Sequence, residues 1–227
     1  RLRPRPTADA RPSTCPICLF QKAFDIQYLS NLHLQYILYH LNGKNPTLYD
    51  ISSFGKFEIS GIGALPTLQR LSCANIDVEV GKVVYTQWLN DRGGIEADLT
   101  IARLEENRFW IITGIGSLNR DWWRLKHHLE PDVKLTDLSM SYACLALQGP
   151  NSRDLLQPMI ESDLTSKAFN FGTGKFSKLN GKTVWIQRLS YVGELGWEIF
   201  IPSESAVNVL KDIQLAGKAF DLSNVGL

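Results

Sequence analysis

The stretch SYVGELGWEI, at residues 190–199, is the most informative part of the sequence. Apolar runs rich in β-forming residues precede it, at residues 184–189, and follow it, at residues 197–201. Gly193 and Gly196 permit positive φ angles and the close approach of a ligand to the backbone. The pattern predicts two strands joined by a turn. Two interpretations stay open: a hairpin with a charged tip, or a turn whose Tyr and Glu side chains face a flat, hydrogen-bonding ligand.

Strand and helix patterns alternate from Leu48 onward. Period-two or apolar runs predict strands at 56–61, 82–90, 95–103, 108–113, 142–148, 175–179, 182–189 and 197–201. Helices are predicted at 64–74, 117–129, 152–159 and 203–215, the last with Ser203 as its N-cap. Hairpins and separate helices in this order indicate the α+β class, with mixed or antiparallel sheets and packed helices. There is no dinucleotide-binding or P-loop glycine motif.

The composition argues against several classes of protein. The chain has 227 residues, of which 44% are hydrophobic and 21% charged, with a formal net charge of +1. A near-neutral chain has no bulk field to attract nucleic acid or a membrane surface. No apolar run approaches the roughly 18 residues that a spanning helix needs. Four cysteines are too few and too scattered for a disulfide scaffold.

The first 46 residues are expected to be a disordered or unrelated segment, with a possible helix at 20–41. The breaker LNGKNP ends at Pro46, where we place a domain boundary, so that residues 47–227 form the second unit. The Arg-rich, acid-poor opening is compatible with a mitochondrial transit peptide or with a disordered tail.

A pair of cysteines in the N-terminal segment resembles half of a zinc site. Cys15 and Cys18 are followed by His33 and His40, and six residues separate the two histidines. That spacing exceeds the three to five residues usual in a zinc finger, so no metal site is predicted.

The strand predicted at 95–103 has two chemically different faces. Ala97 lies on an apolar face, and Asp98 and Thr100 lie on the opposite one. Asp98 is therefore either a solvated residue of an outer face or a carboxylate aimed into a pocket.

Four ordered motifs carry a family resemblance: LYDISSFGKF at 48–57, VYTQWLNDRGGIEADLT at 84–100, LQGPNSR at 147–153 and YVGELGWE at 191–198. Together they resemble the folate-binding aminomethyltransferase domain of the glycine cleavage T-protein. The likeness is closer to the C-terminal part of sarcosine and dimethylglycine dehydrogenases, and it covers residues 48–227. The regulatory subunit of pyruvate dehydrogenase phosphatase is a relative with the same domain.

The resemblance implies a site, residue by residue. Asp98 matches the catalytic carboxylate beside the folate amine that receives the one-carbon unit. Tyr85, Tyr191 and Glu198 match cofactor-binding residues of the folate pocket, and Glu198 would accept hydrogen bonds from the amino-pyrimidine edge of the pterin. The family has an acid immediately before the catalytic one, where this chain has Ala97.

The implied function is transfer of a one-carbon unit from an N-methyl amino acid, such as sarcosine or dimethylglycine, or from an aminomethyl carrier, to tetrahydrofolate. The partners would be folate, a small amine, and an FAD-dependent dehydrogenase half or a carrier protein, with no nucleic acid and no membrane. FAD would belong only to a missing upstream domain. The expected location is the mitochondrial matrix in a eukaryote and the cytoplasm otherwise.

The resemblance also implies truncation, because the family's domain continues beyond the last residue of this chain. Two alternatives to the catalytic function stay open: a non-catalytic regulatory relative of the phosphatase subunit, or an inactive fragment.

Overall fold

The computed structural model describes residues 45–225, which lie within one compact unit. The predictions made for residues 1–44, including the helix at 20–41 and the cysteine and histidine pairs, lie outside the described residues. The domain boundary at Pro46 stays a prediction.

The described residues form eleven strands and four α-helices. The strands are β1 (Thr47–Asp50), β2 (Gly55–Ser60), β3 (Val83–Leu89), β4 (Ile95–Glu105), β5 (Arg108–Thr113), β6 (Lys134–Asp137), β7 (Tyr142–Gln148), β8 (Thr173–Leu179), β9 (Lys182–Arg188), β10 (Gly196–Pro202) and β11 (Ser223–Val225). The helices are α1 (Ala64–Leu71), α2 (Leu118–His127), α3 (Ser152–Leu156) and α4 (Ser203–Gly217).

The strands form two sheets. The larger has six strands in the order β11-β1-β7-β10-β9-β8, and the smaller has five in the order β3-β4-β5-β2-β6. All neighbouring strands are antiparallel except β1 and β11, which are parallel. The predicted α+β class with mixed and antiparallel sheets is confirmed.

Three buried clusters show how the layers stack. One lies between the six-stranded sheet and helices α3 and α4, and another between the five-stranded sheet and helices α1 and α2. The third lies between the two sheets and includes Trp110, Trp185 and Phe200. The Trp110 ring centroid is 6.2 Å from that of Trp185 and 5.9 Å from that of Phe200. The order of layers is therefore helices, sheet, sheet, helices, and each sheet has a face turned toward the other sheet.

Strand β4 shows how period two assigns side chains to these layers. Ala97 and Leu99 are buried in the cluster beneath α1 and α2. Ala102 belongs to the cluster between the sheets. Asp98 and Thr100 differ from Ala102 by an even number of positions, so they lie on the same inter-sheet face. The predicted division of this strand into two faces is confirmed.

Several element boundaries differ from the predictions. Helix α1 ends at Leu71, three residues early, and the predicted helix at 152–159 is α-helical only to Leu156, before a 3₁₀ turn that contains Pro158. Pro158 has no backbone N–H to continue an α-helix. Ser203 is the first residue of α4 and not its N-cap, which is Pro202. The Ser203 hydroxyl instead donates to the Met140 carbonyl at 2.7 Å.

Position 97 provides a test of this layering. Ala97 is 1% exposed, so Ala97→Asp would bury an unpaired carboxyl and should lower the free energy of unfolding by about 3 kcal/mol at neutral pH. Thr100→Asp, on the other face of the same strand and only partly buried, should change it by less than about 1 kcal/mol. Urea denaturation measures both, and equal losses would contradict the assignment of faces.

Candidate functional site

The loop at residues 189–195 joins β9 to β10 and lies at the edge of the inter-sheet space. Strands β9 and β10 pair in antiparallel fashion, with Glu198 opposite Gln187. Gly193 has a φ of +80°, as the sequence predicts for this turn. Tyr191 is 73% exposed on the loop. The segment is thus a hairpin, and the same hairpin carries two of the predicted site residues.

Glu198 is the buried acid of the site. It is 8% exposed and lies on the same face of β10 as Phe200, toward the other sheet. Its Oε2 accepts a hydrogen bond from Gln187 Nε2 at 2.8 Å, and Gln187 Oε1 accepts one from Trp185 Nε1 at 3.1 Å. Within residues 45–225, no group donates to Glu198 Oε1. The carboxylate is therefore fixed through one oxygen and keeps the other for a donor.

Burial dominates the electrostatics of Glu198. Loss of solvation raises its pKa to about 7, although the hydrogen bond from Gln187 acts in the opposite direction. Near neutral pH the side chain is close to half protonated. A ligand that presents N–H donors would favour the ionised form.

Asp98 and Tyr85 form the exposed part of the site, on neighbouring strands of the five-stranded sheet. Asp98 Oδ1 accepts a hydrogen bond from Gln87 Nε2 at 3.3 Å. Hydrogen bonding to Asp98 raises the pKa of Tyr85, and burial, the Asp98 charge and Tyr191 act in the same direction. Tyr85 is 60% exposed. The structure therefore brings Tyr85 beside Asp98, with Tyr191 close enough to influence it.

The two sheets carry the two predicted acids at different depths. Glu198 comes from the six-stranded sheet and is buried, whereas Asp98 comes from the five-stranded sheet and is exposed. Both side chains lie on the strand faces that are turned toward the opposite sheet. Tyr191, on a loop of the six-stranded sheet, affects Tyr85 in the five-stranded sheet. Asp98, Tyr85 and Glu198 thus lie on strand faces turned toward the opposite sheet, and Tyr191 lies on the loop that precedes β10.

The alanine at position 97, where the family has an acid, does not alter the inter-sheet face of β4. Ala97 is buried beneath α1 and α2, on the face opposite Asp98. An acid at position 97 would therefore not reach the space between the sheets.

Sequence reasoning missed Gln187. It is fully buried, and it connects Glu198 to Trp185. A glutamine in the apolar run 184–189 was the available signal, since period two places it on the same face as Trp185.

The part of the chain that the structure covers offers no group of three or more His, Cys, Asp or Glu residues able to hold a metal ion. None of the helices described for residues 45–225 is long and apolar enough to cross a membrane.

The chain is similar in sequence to proteins of a known family. The sequence model of the GCVT N-terminal domain matches residues 43–227. Mitochondrial sarcosine dehydrogenase from Homo sapiens is 35% identical over 195 residues, which cover 79% of this chain and 21% of that protein. An aminomethyltransferase from Halothermothrix orenii is 34% identical over 182 residues, which cover 79% of this chain and 50% of that protein.

Two solved structures have the same fold. The glycine cleavage system aminomethyltransferase T from Bartonella henselae superimposes with a TM-score of 0.71 at 26% identity, covering 82% of this chain and 49% of that one. A chain of the heterotetrameric sarcosine oxidase from Corynebacterium sp. U-96 does so with a TM-score of 0.64 at 16% identity, covering 85% and 95%. The chain spans about a fifth of the sarcosine dehydrogenase and half of the aminomethyltransferase. The resemblance inferred from the four sequence motifs is confirmed, and the chain belongs to the GCVT N-terminal domain family.

Proposed function

We propose that this chain is a tetrahydrofolate-binding module that transfers a one-carbon unit from an N-methyl amino acid or an aminomethyl carrier. The observation that carries the proposal is the buried Glu198 carboxylate on the face toward the other sheet, of which one oxygen has no partner among residues 45–225. Membership of a family whose members include aminomethyltransferases supports it.

The binding role of Glu198 follows from its geometry. The amino-pyrimidine edge of a pterin presents two adjacent N–H donors, which a single carboxylate can accept together. Glu198 Oε2 is fixed by Gln187, so the direction of the carboxylate is set before the ligand arrives. Preorganisation of this kind reduces the entropy lost on binding.

Asp98 is proposed as the catalytic carboxylate. When bound, tetrahydrofolate would supply a nucleophilic nitrogen for an electrophilic methylene group carried on an amine. The Asp98 carboxylate would hold the positive charge of the donor, orient the reacting groups and accept a proton. Its exposure suits this role, because the donor has to enter from outside. Glu198, being buried, suits recognition.

The finer parts of the proposal concern the source of the one-carbon unit and the cellular location. Sarcosine or dimethylglycine is the proposed source of the one-carbon unit, and an FAD-dependent dehydrogenase half would first oxidise its N-methyl group to the electrophilic iminium. A carrier protein that presents an aminomethyl group is the other proposed source. Two sarcosine dehydrogenase relatives are named as mitochondrial, which supports a mitochondrial matrix location if the source is a eukaryote.

Calorimetric titration with tetrahydrofolate tests the proposal by comparing the wild-type chain with a variant at Tyr191. Tyr191→Leu removes an exposed ring at the rim and should weaken binding about 5-fold, the size expected for one aromatic contact. Trp123→Leu is the control, since Trp123 is an exposed aromatic residue on α2, and it should leave binding unchanged. If the wild-type chain binds no reduced folate, the proposal is rejected in favour of the two alternatives, a non-catalytic regulatory relative or an inactive fragment.

A further inference from the structure

Two buried polar atoms near the site have no hydrogen-bond partner, and neither belongs to the residues discussed above. Within residues 45–225, Gln148 Oε1 and Ser190 Oγ are both buried and unpaired. Gln148 is 4% exposed. A buried polar atom without a partner destabilises the free protein, so it calls for an explanation such as a ligand.

The orientation of the Gln148 amide is fixed by its surroundings. Its Nε2 donates to the Leu189 carbonyl at 3.4 Å, which identifies the other end of the amide as the acceptor. Gly196 lies opposite Gln148 in the strand pairing, and a Cβ at Gly196 would come within 2.0 Å of Gln148 Oε1. The glycine therefore makes room for the acceptor.

Gln148 lies on the same side of the sheet as Glu198. On β10, Glu198 pairs with Ala146 and Gly196 pairs with Gln148. Gln148 is two positions from Ala146, so the two side chains are diagonal neighbours on one face, about 7 Å apart at Cβ. The Leu189 carbonyl that holds the Gln148 amide immediately precedes Ser190, so the loop that carries Tyr191 begins at this point.

The chemistry of a reduced pterin supplies a match for both atoms. If Glu198 accepts the two N–H donors of the amino-pyrimidine edge, a separate edge of the ligand remains, where the N1 acceptor lies beside the N8–H donor. Gln148 Oε1 needs a donor, and the Ser190 hydroxyl can donate. The two edges do not overlap, so a single ligand can satisfy all three side chains.

We infer that Gln148 and Ser190 form a second recognition position in the site, at which Gln148 accepts the N8–H of the pterin and Ser190 donates to N1. The inference rests on the proposed function. N8–H is present in tetrahydrofolate and dihydrofolate and absent from folic acid, whose N8 is an acceptor. Gln148 therefore makes the site selective for the reduced ring, because an acceptor facing an acceptor is unfavourable.

The test compares tetrahydrofolate, dihydrofolate and folic acid by calorimetric titration. Gln148→Met keeps the length of the side chain and removes its acceptor. It should weaken binding of the two reduced ligands about 30-fold and change the affinity for folic acid by less than about 3-fold. Ser190→Ala should weaken all three ligands about equally, since N1 is common to them. Gln214→Leu, on the exposed side of α4, is the control and should leave all three affinities unchanged.

Thermal unfolding of the free variants separates binding from folding. Ser190→Ala removes only an unpaired buried polar atom, so its melting temperature should be unchanged or higher. Gln148→Met also loses the long hydrogen bond to the Leu189 carbonyl, so its melting temperature should fall slightly at most. Equal losses for all three ligands in Gln148→Met, or no loss, would overturn the inference and leave the proposed function standing. A wild-type chain that binds none of the three ligands would overturn both.

Discussion

Replacing Glu198 with Gln is expected to weaken the binding of tetrahydrofolate about 1,000-fold, through the loss of two charge-assisted hydrogen bonds. The carboxamide would also place an N–H₂ group where the ligand needs an acceptor. The hydrogen bond that Gln187 donates at 2.8 Å can persist to the amide oxygen. The loss is therefore expected in recognition rather than in the architecture of the hairpin.

The same substitution should stabilise the free protein, and by an amount that depends on pH. Burial raises the pKa of Glu198 from 4.5 to about 7. Between these values the folded protein holds more protons than the unfolded chain, so the contribution of Glu198 to stability falls as the pH rises through that window. The ionised residue then costs about 3 kcal/mol above neutral pH. Glu198→Gln has no such titration.

Urea denaturation and calorimetric titration, each at about pH 4 and about pH 8, measure these effects. The stability gained by Glu198→Gln should be near zero at the lower pH and about 3 kcal/mol at the higher one. Glu161→Gln changes an exposed acid and should alter neither stability nor binding. Wild-type affinity in Glu198→Gln would contradict the role of Glu198 in recognition. A stability difference that does not depend on pH would contradict the raised pKa of Glu198.

Replacing Asp98 with Asn is expected to lower the rate of one-carbon transfer about 1,000-fold, within the range found when a positioned acid or base is removed. Asp98 is exposed and belongs to the other sheet from the buried acid, so the affinity for tetrahydrofolate should change by less than about 3-fold. The separation of rate from affinity distinguishes a catalytic carboxylate from a binding one.

The assay follows conversion of tetrahydrofolate to its methylene form with a formaldehyde–sarcosine adduct as donor, after subtraction of the uncatalysed rate. Asp98→Asn should also move the pKa of Tyr85 back toward its ordinary value, because hydrogen bonding to the carboxylate is the main cause that raises it. Ultraviolet titration of the phenol reports this without activity. Asp91→Asn, an exposed acid in the β3–β4 turn, is the matched control. Equal rates in Asp98→Asn and wild type would remove Asp98 from the mechanism.

Much of this fold can be predicted from the sequence, because the alternation of apolar and polar residues along a strand is a local property. The alternation at 95–103 was enough to separate Asp98 from Ala97, and the glycines of 190–199 were enough to predict the hairpin. Strands β1, β6 and β11 were missed because each has only three or four residues and is defined by partners far away in the chain.

The pairing of Glu198 with Gln187 could not be predicted from a local pattern. It requires the register between β9 and β10, which the loop conformation at 189–195 sets. The same holds for the approach of Gln148 to Gly196 across β7 and β10. Residue types could indicate candidates, but only the strand order of the six-stranded sheet brings them together.

A crystal structure of the chain with bound reduced folate would show whether Glu198 and Asp98 face one ligand. We expect the pterin between the two sheets, with its amino-pyrimidine nitrogens about 3 Å from the Glu198 carboxylate and its reduced ring toward Asp98. A pterin bound on the outer, helix-covered side of either sheet, or a Glu198 carboxylate that gains no partner from the ligand, would contradict the account.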